Sequence, residues 1–189
     1  MSAPSRHTRT PLGTAFWRIW SGQTVSTLGS ATAGVGVAVY VFLDTGNALW
    51  LGVLTACAGV PFVLLTPLLG RIDRFDRRAV MIIGDCLAAL GTVGALVAAL
   101  LGRLDPWHLV LAAFIGGVGS AIQVPAAQAA VPALVAEDQL DRANGLAQLG
   151  PAMSLVIGPA LATALVARWG IVAVLLVDAV TFVIALTAT

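Results

Sequence analysis

The sequence predicts an all-α membrane protein of six transmembrane helices, and three observations carry that prediction. Hydrophobic residues make up 59% of the 189 and charged residues only 10%, against roughly 25% charge in a soluble domain. Mean hydropathy is +0.96. The charges fall in short clusters and leave uncharged runs over 19–43, 45–70, 79–102, 106–136, 143–167 and 169–189, apart from one Asp in the third and one in the sixth. Each run meets the requirement of about 20 apolar residues for a helix crossing a hydrocarbon core of roughly 30 Å.

Residues 1–15 hold Arg6, Arg9, Ser, Thr and Pro with no apolar face, and read as a cytoplasmic tail. The first helix, expected over 16–43, is too long for a signal-peptide core and reads as a retained anchor. Spans are expected over 48–69, 79–101, 107–130, 143–167 and 170–189. Trp17, Trp20, Trp50, Trp107 and Trp169 fall at the ends of these spans, where an amphipathic indole is most stable. Cys57 and Cys86 lie inside spans, so a disulfide framework is not expected.

Orientation follows from the cations, all ten of which are arginine. A cytoplasmic N-terminus puts Arg6, Arg9, Arg18, Arg71, Arg74, Arg77, Arg78 and Arg142 inside, with only Arg103 and Arg168 outside. That eight-to-two split is a strong positive-inside bias. Both termini are therefore expected in the cytoplasm.

Polar groups within the spans are the candidate functional residues, because an ionisable side chain in hydrocarbon costs several kcal/mol unless paired or hydrated. Asp85 lies about two turns past Arg78, within reach of a cytoplasmic arginine or a wet vestibule; it reads as a gate or ion-pair partner, or as part of a polar path. Asp178 lies near the middle of the sixth span, and reads either as a cavity-facing functional acid or as a protonated or hydrogen-bonded packing residue. Gln23 on the first span and Gln123 on the fourth either line a substrate or proton path or bond across helices. Gly22, Ser26, Gly29, Ser30, Ala33, Gly34 and Gly36 form a small-residue stripe suited to close helix packing. The fifth span carries Gly145, Gly150-Pro151 and Gly158-Pro159; proline removes a backbone donor, so a kink or local unwinding is expected, serving as a gate or as a static bend.

Enzyme signatures are missing. The only histidines are His7 in the tail and His108 at an outer interface, so neither a metal cluster nor a catalytic dyad within the membrane has histidine to draw on. No cofactor or metal is implied. A chain without lysine has no P-loop. A net charge of +1 argues against nucleic-acid binding. Transport of a small molecule across the lipid bilayer is the leading class, with a membrane scaffold or small channel subunit as the alternative.

Several segments resemble the N-terminal half of a major facilitator superfamily transporter, and more narrowly its bacterial efflux branch of macrolide and siderophore exporters. Phe16-Trp17-Arg18-Ile19-Trp20-Ser21-Gly22-Gln23 with Ser26-Thr27-Leu28-Gly29 is similar to the branch's first-helix opening. Asp73-Arg74-Phe75-Asp76-Arg77-Arg78 resembles the superfamily's signature loop between helices two and three, with Asp76 where many members have glycine. Arg142-Ala143-Asn144-Gly145 and Gly158-Pro159 resemble the fifth-helix segment, with a partial match to an antiporter motif. Ser30 stands where the branch often has an acid, and Leu69 where the loop signature has glycine.

The resemblance implies two three-helix inverted repeats, efflux by alternating access at a bacterial inner membrane, and a second six-helix half supplied by the same or another chain. It implies that Asp73 holds the inward-closed state with Arg74, Arg77 and Arg78 as cationic counterparts, and that Gly145 and Gly158-Pro159 let helix five bend. It leaves open a truncated, inactive fragment.

The topology is directly testable. With Cys57 and Cys86 replaced, Asn47→Cys should react with an impermeant thiol reagent added to intact cells while Phe75→Cys stays unlabelled. The reverse pattern would overturn the arrangement.

Overall fold

The computed structural model of the chain describes residues 12–72 and 76–189. All regular structure among the described residues is helical: α1 Thr14–Thr45, α2 Leu49–Ile72, α3 Arg77–Leu100, α4 Pro106–Leu134, a short 3-10 turn Glu137–Gln139, and α5 Leu140–Ala188. Five of these are long and apolar enough to cross a membrane.

Local chemistry fixes most of the ends. Gly46 closes α1 in the left-handed conformation at φ 63°, its N–H reaching the Phe42 carbonyl. Asp76 caps α3 by accepting from the Arg78 N–H at 3.1 Å. Asp105 caps α4 by accepting from the Trp107 N–H at 3.0 Å, while His108 Nδ1 accepts from the Asp105 N–H at 3.1 Å.

The structure has five long helices rather than six separate ones, because the connection expected near residue 170 is a single residue. Helical geometry runs through α5 except at Gly170 (φ 72°, ψ −170°), a conformation in essence restricted to glycine. Two sets of contacts show that the chain doubles back there. Before the break, Gly150 faces Thr24 and Gly158 faces Ala31 and Thr32, so this stretch runs parallel to α1. After it, Val174 faces Gly36, Thr181 faces Gly29, and Ala185 and Ala188 face Gly22, so the returning stretch runs antiparallel. The unwinding expected at Gly150-Pro151 and Gly158-Pro159 is not observed, since these residues keep helical torsions.

Two close-packed seams organise the bundle. In the first, Gly22, Gly29 and Gly36 lie seven residues apart on one face of α1 and admit the returning stretch of α5; a methyl group on Gly36 would come within 2.7 Å of Val174 Cγ1. Gly34, in the same stripe, faces open space. In the second, α3 meets α4 through Gly84, Gly91 and Gly119, and α4 meets α2 where Gly117 abuts the Ala58 backbone. Such seams suit a bilayer, where dispersion between closely approaching backbones drives association. At the end where α1 leads into α2, Trp50 and Trp107 pack edge to face with centroids 5.0 Å apart. Trp20 Nε1 donates to the Leu146 carbonyl at 2.7 Å, and Arg18 Nε to the Ala188 carbonyl at 2.9 Å, tying α1 to both stretches of α5. Cys57 is half-buried, and Cys86 is exposed on the outer face of α3.

Two glycines of α3 provide the test. A Cβ on Gly91 would stand 2.8 Å from the Ala112 carbonyl oxygen, whereas one on Gly94 meets nothing within 4 Å. Gly91→Ala should destabilise the protein by about 1–3 kcal/mol through overpacking, read as a lower unfolding midpoint in detergent, while Gly94→Ala should leave it unchanged or raise it. Equal midpoints would mean that the α3–α4 seam does not hold the fold.

Candidate functional site

The polar groups inside the bundle gather into two stacked layers. Gln23 and Ser30 lie seven residues apart on α1, and Asp85 and Thr92 seven apart on α3, so each pair shares a helix face with its members separated by two turns, about 10 Å.

The first layer joins three helices. Gln23 Nε2 donates to Asp85 Oδ2 at 3.0 Å and approaches Thr189 Oγ1 at 3.5 Å. Gln123 Nε2 donates to Gln23 Oε1, which fixes the Gln23 amide with its NH2 toward Asp85. Glycine makes this reach possible: a Cβ on Gly84 would stand 2.5 Å from Gln123 Cβ. Asp85 is 3% exposed, and its partner is a neutral amide from α1 rather than the arginine its distance from the loop suggests.

The second layer is centred on Asp178 in the returning stretch of α5, also 3% exposed. Ser30 Oγ donates to Asp178 Oδ1 at 3.0 Å and Thr92 Oγ1 to Oδ2 at 2.7 Å. The carboxyl group is both hydrogen-bonded and cavity-lining. The cavity has a volume of about 530 Å³ and opens between α1, α2, α3, α4 and the end of α5, with Asp178 and the ring of Phe182 in its wall. A second cavity of about 140 Å³ lies beside the first layer, lined by Gln23, Gln123, Gln128 and the start of α1.

The loop candidates divide. Asp73 and Arg74 lie outside the described residues. Arg77 Nη1 donates to the Ala129 carbonyl at 2.5 Å, tying the start of α3 to α4, and Arg78 is exposed. Asp76 has a structural task as the α3 cap. Among the hinge candidates, Gly158 is buried against Ala31, Gly145 faces open space, and Pro159 sits within helical backbone. Sequence reasoning marked Ser30 as a small residue and as standing where the efflux branch often has an acid, and passed over Thr92. The seven-residue spacing of Gln23 with Ser30 and Asp85 with Thr92 was the signal that would have found them.

The model of the transmembrane secretion effector family matches residues 7–189, which is nearly the whole chain. The chain belongs to this family. Macrolide efflux protein A of Streptococcus pyogenes is 34% identical over 172 residues, covering 90% of this chain and 42% of that protein. Macrolide efflux protein A of Enterococcus faecalis is 34% identical over 128 residues, 67% of this chain and 39% of that protein. An enterobactin exporter of Salmonella typhi is 28% identical over 160 residues, 83% of this chain and 38% of the exporter. The chain thus spans about two fifths of the length of the curated relatives it matches. As a member of this family it is a multi-pass bacterial membrane protein of the major facilitator superfamily.

The first layer makes a measurable claim. Gln23→Leu strips Asp85 of its amide donor and Gln123 of its acceptor, and leaving buried polar groups unmade costs about 1–3 kcal/mol. A lower unfolding midpoint is expected, and a smaller loss when Asp85→Leu is added to Gln23→Leu than the two single losses summed. An additive pair would show that the two side chains are not coupled.

Proposed function

We propose that this chain is the N-terminal half of an efflux transporter, exporting a drug-like small molecule or metabolite by alternating access once a second six-helix half, a second copy or another polypeptide, completes the cavity. Family membership is the observation that carries the reading, since the similar proteins are exporters by name. The doubling back of α5 at Gly170 supports six spans arranged as two three-helix repeats, with both termini cytoplasmic. The half is not an enzyme in this reading.

Within it, Gln23, Asp85, Gln123 and Asp178 form the substrate or proton path. Support comes from the burial of Asp85 and Asp178, since an ionisable group in hydrocarbon is expensive, and from the cavities, one lined by Asp178 and the other by Gln23 and Gln123. Asp73 with Arg74, Arg77 and Arg78 holds the inward-closed state, and the Arg77 bond to α4 supports a mechanical role for the start of α3. Gly145 and Gly158-Pro159 supply the bending of helix five.

Reconstitution in liposomes with and without a partner half tests the reading. The isolated monomer should not move a fluorescent drug, and the completed transporter should. In the completed transporter, Asp73→Asn should reduce transport several-fold at unchanged membrane abundance. Asp76→Asn should have a small effect, because asparagine also caps helices well. Transport by the monomer alone, or equal losses for the two substitutions, would overturn this assignment.

A further inference from the structure

The cap at the start of α4 contains one bond that depends on a proton. A capping box ordinarily places Glu or Gln three residues past the cap, where its side chain accepts the backbone N–H of the cap residue. In α4 that position is His108, whose Nδ1 accepts from the Asp105 N–H at 3.1 Å. An imidazole nitrogen can accept there only while it carries no proton. The other donors of the turn are already taken. The Trp107 N–H goes to Asp105 Oδ1 at 3.0 Å and the His108 N–H to the Asp105 carbonyl at 2.9 Å, so the turn offers no ligand site. Trp107, held between these bonds, carries the ring that packs on Trp50 at the start of α2.

We infer that His108 is a pH-sensitive latch on this end of α4: it is fastened while the imidazole is neutral, and protonation releases it together with the contact between Trp107 and Trp50. Histidine is the side chain that ordinarily changes charge between about pH 5 and pH 8. The sign follows from the donors. A proton on Nδ1 would set one N–H against another, so the box is made at the higher pH and lost as pH falls. The imidazolium also stands at the positive end of the helix dipole, which disfavours a cation. The charged groups at this end of the bundle are Asp105 within the cap, Arg103 in the loop before it, Asp44 at the end of α1 and Arg168 beside the Gly170 turn; the halves of α2 and α3 that lead here carry none. The Asp105 carboxylate attracts an imidazolium, but it cannot return the acceptor that the Asp105 N–H has lost.

This inference is independent of the efflux reading and of which side of the membrane the cap faces, because a nanodisc exposes both ends to one pH. Two substitutions bracket it. His108→Gln supplies a neutral acceptor at every pH, and His108→Ala supplies none. The full chain carrying His7→Gln, which leaves His108 as the single histidine, is labelled with 15N at Asp, Trp and His and titrated from pH 8 to pH 5 in phosphatidylcholine nanodiscs.

The Asp105 amide resonance should move with the same midpoint as the His108 ring nitrogens. Exchange protection of the Trp107 and His108 amides, relative to unstructured rates at each pH, should fall at least fivefold between pH 8 and pH 5. It should stay high at both in His108→Gln and low at both in His108→Ala. The circular-dichroism couplet of the indole pair, assigned by its loss in Trp107→Phe, should weaken in acid in the parent and hold in His108→Gln. An Asp105 amide that stays still while His108 titrates, an equal acid response in His108→Gln, full protection in His108→Ala, or protection kept at pH 5 because the imidazolium settles on the Asp105 carboxylate would each overturn the proposal.

Discussion

Three glycines spaced seven apart on α1 set the distance on which the interior depends. Gly22, Gly29 and Gly36 let the returning stretch of α5 lie directly against the α1 backbone. Only at that separation does the short Ser30 side chain reach Asp178, and only then does Arg18 reach the Ala188 carbonyl. The second seam works the same way, with Gly84 clearing the space through which Gln123 reaches Gln23. Close packing in lipid therefore does two jobs. It supplies the dispersion attraction that holds the helices together, and it brings polar side chains from different helices within hydrogen-bonding range.

Much of this was legible in the sequence, and the division has a physical cause. Uncharged runs report helices that cross apolar medium, because a backbone in hydrocarbon has no other way to satisfy its N–H and C=O groups along one segment. The small-residue stripe on α1 named the seam, although it could not separate Gly29, which touches Thr181, from Gly34, which faces open space. Azimuth around a helix is set by its neighbours, and no single segment encodes it. The Gly-Pro steps show a related limit: proline's missing donor is a local fact, while whether the backbone unwinds there depends on its neighbours, as with Gly158 against Ala31. The one break in helical torsions within α5 came at Gly170, in the connection expected beside Trp169.

The candidate site shows the same limit. Asp85, Asp178, Gln23 and Gln123 stood out because charge and amide are rare in such spans, whereas Ser30 and Thr92 are ordinary residues whose meaning comes from what they face. In transporters that this chain resembles, the position of Ser30 often carries the acid itself; here a hydroxyl stands there and Asp178 approaches it from another helix. A carboxyl group at one place in space can be supplied by either of two helices, so a residue missing from a motif does not establish that its chemistry is missing from the interior. The arginines tell the complementary story. Arg18 and Arg77 bond to backbone carbonyls, joining segments without fixing a partner's side-chain identity.

Gly170 has a consequence for how the chain enters the bilayer. One residue separates the two stretches of α5, leaving no hydrophilic loop that could wait in water while the second stretch follows the first. A hairpin closed this tightly is suited to insertion as a unit, with the returning stretch shielded by its neighbour while Asp178 is still without Ser30 and Thr92. Biogenesis would then depend on the order in which helices meet, since α1 and α3, both made earlier, must already be present to receive that carboxyl group.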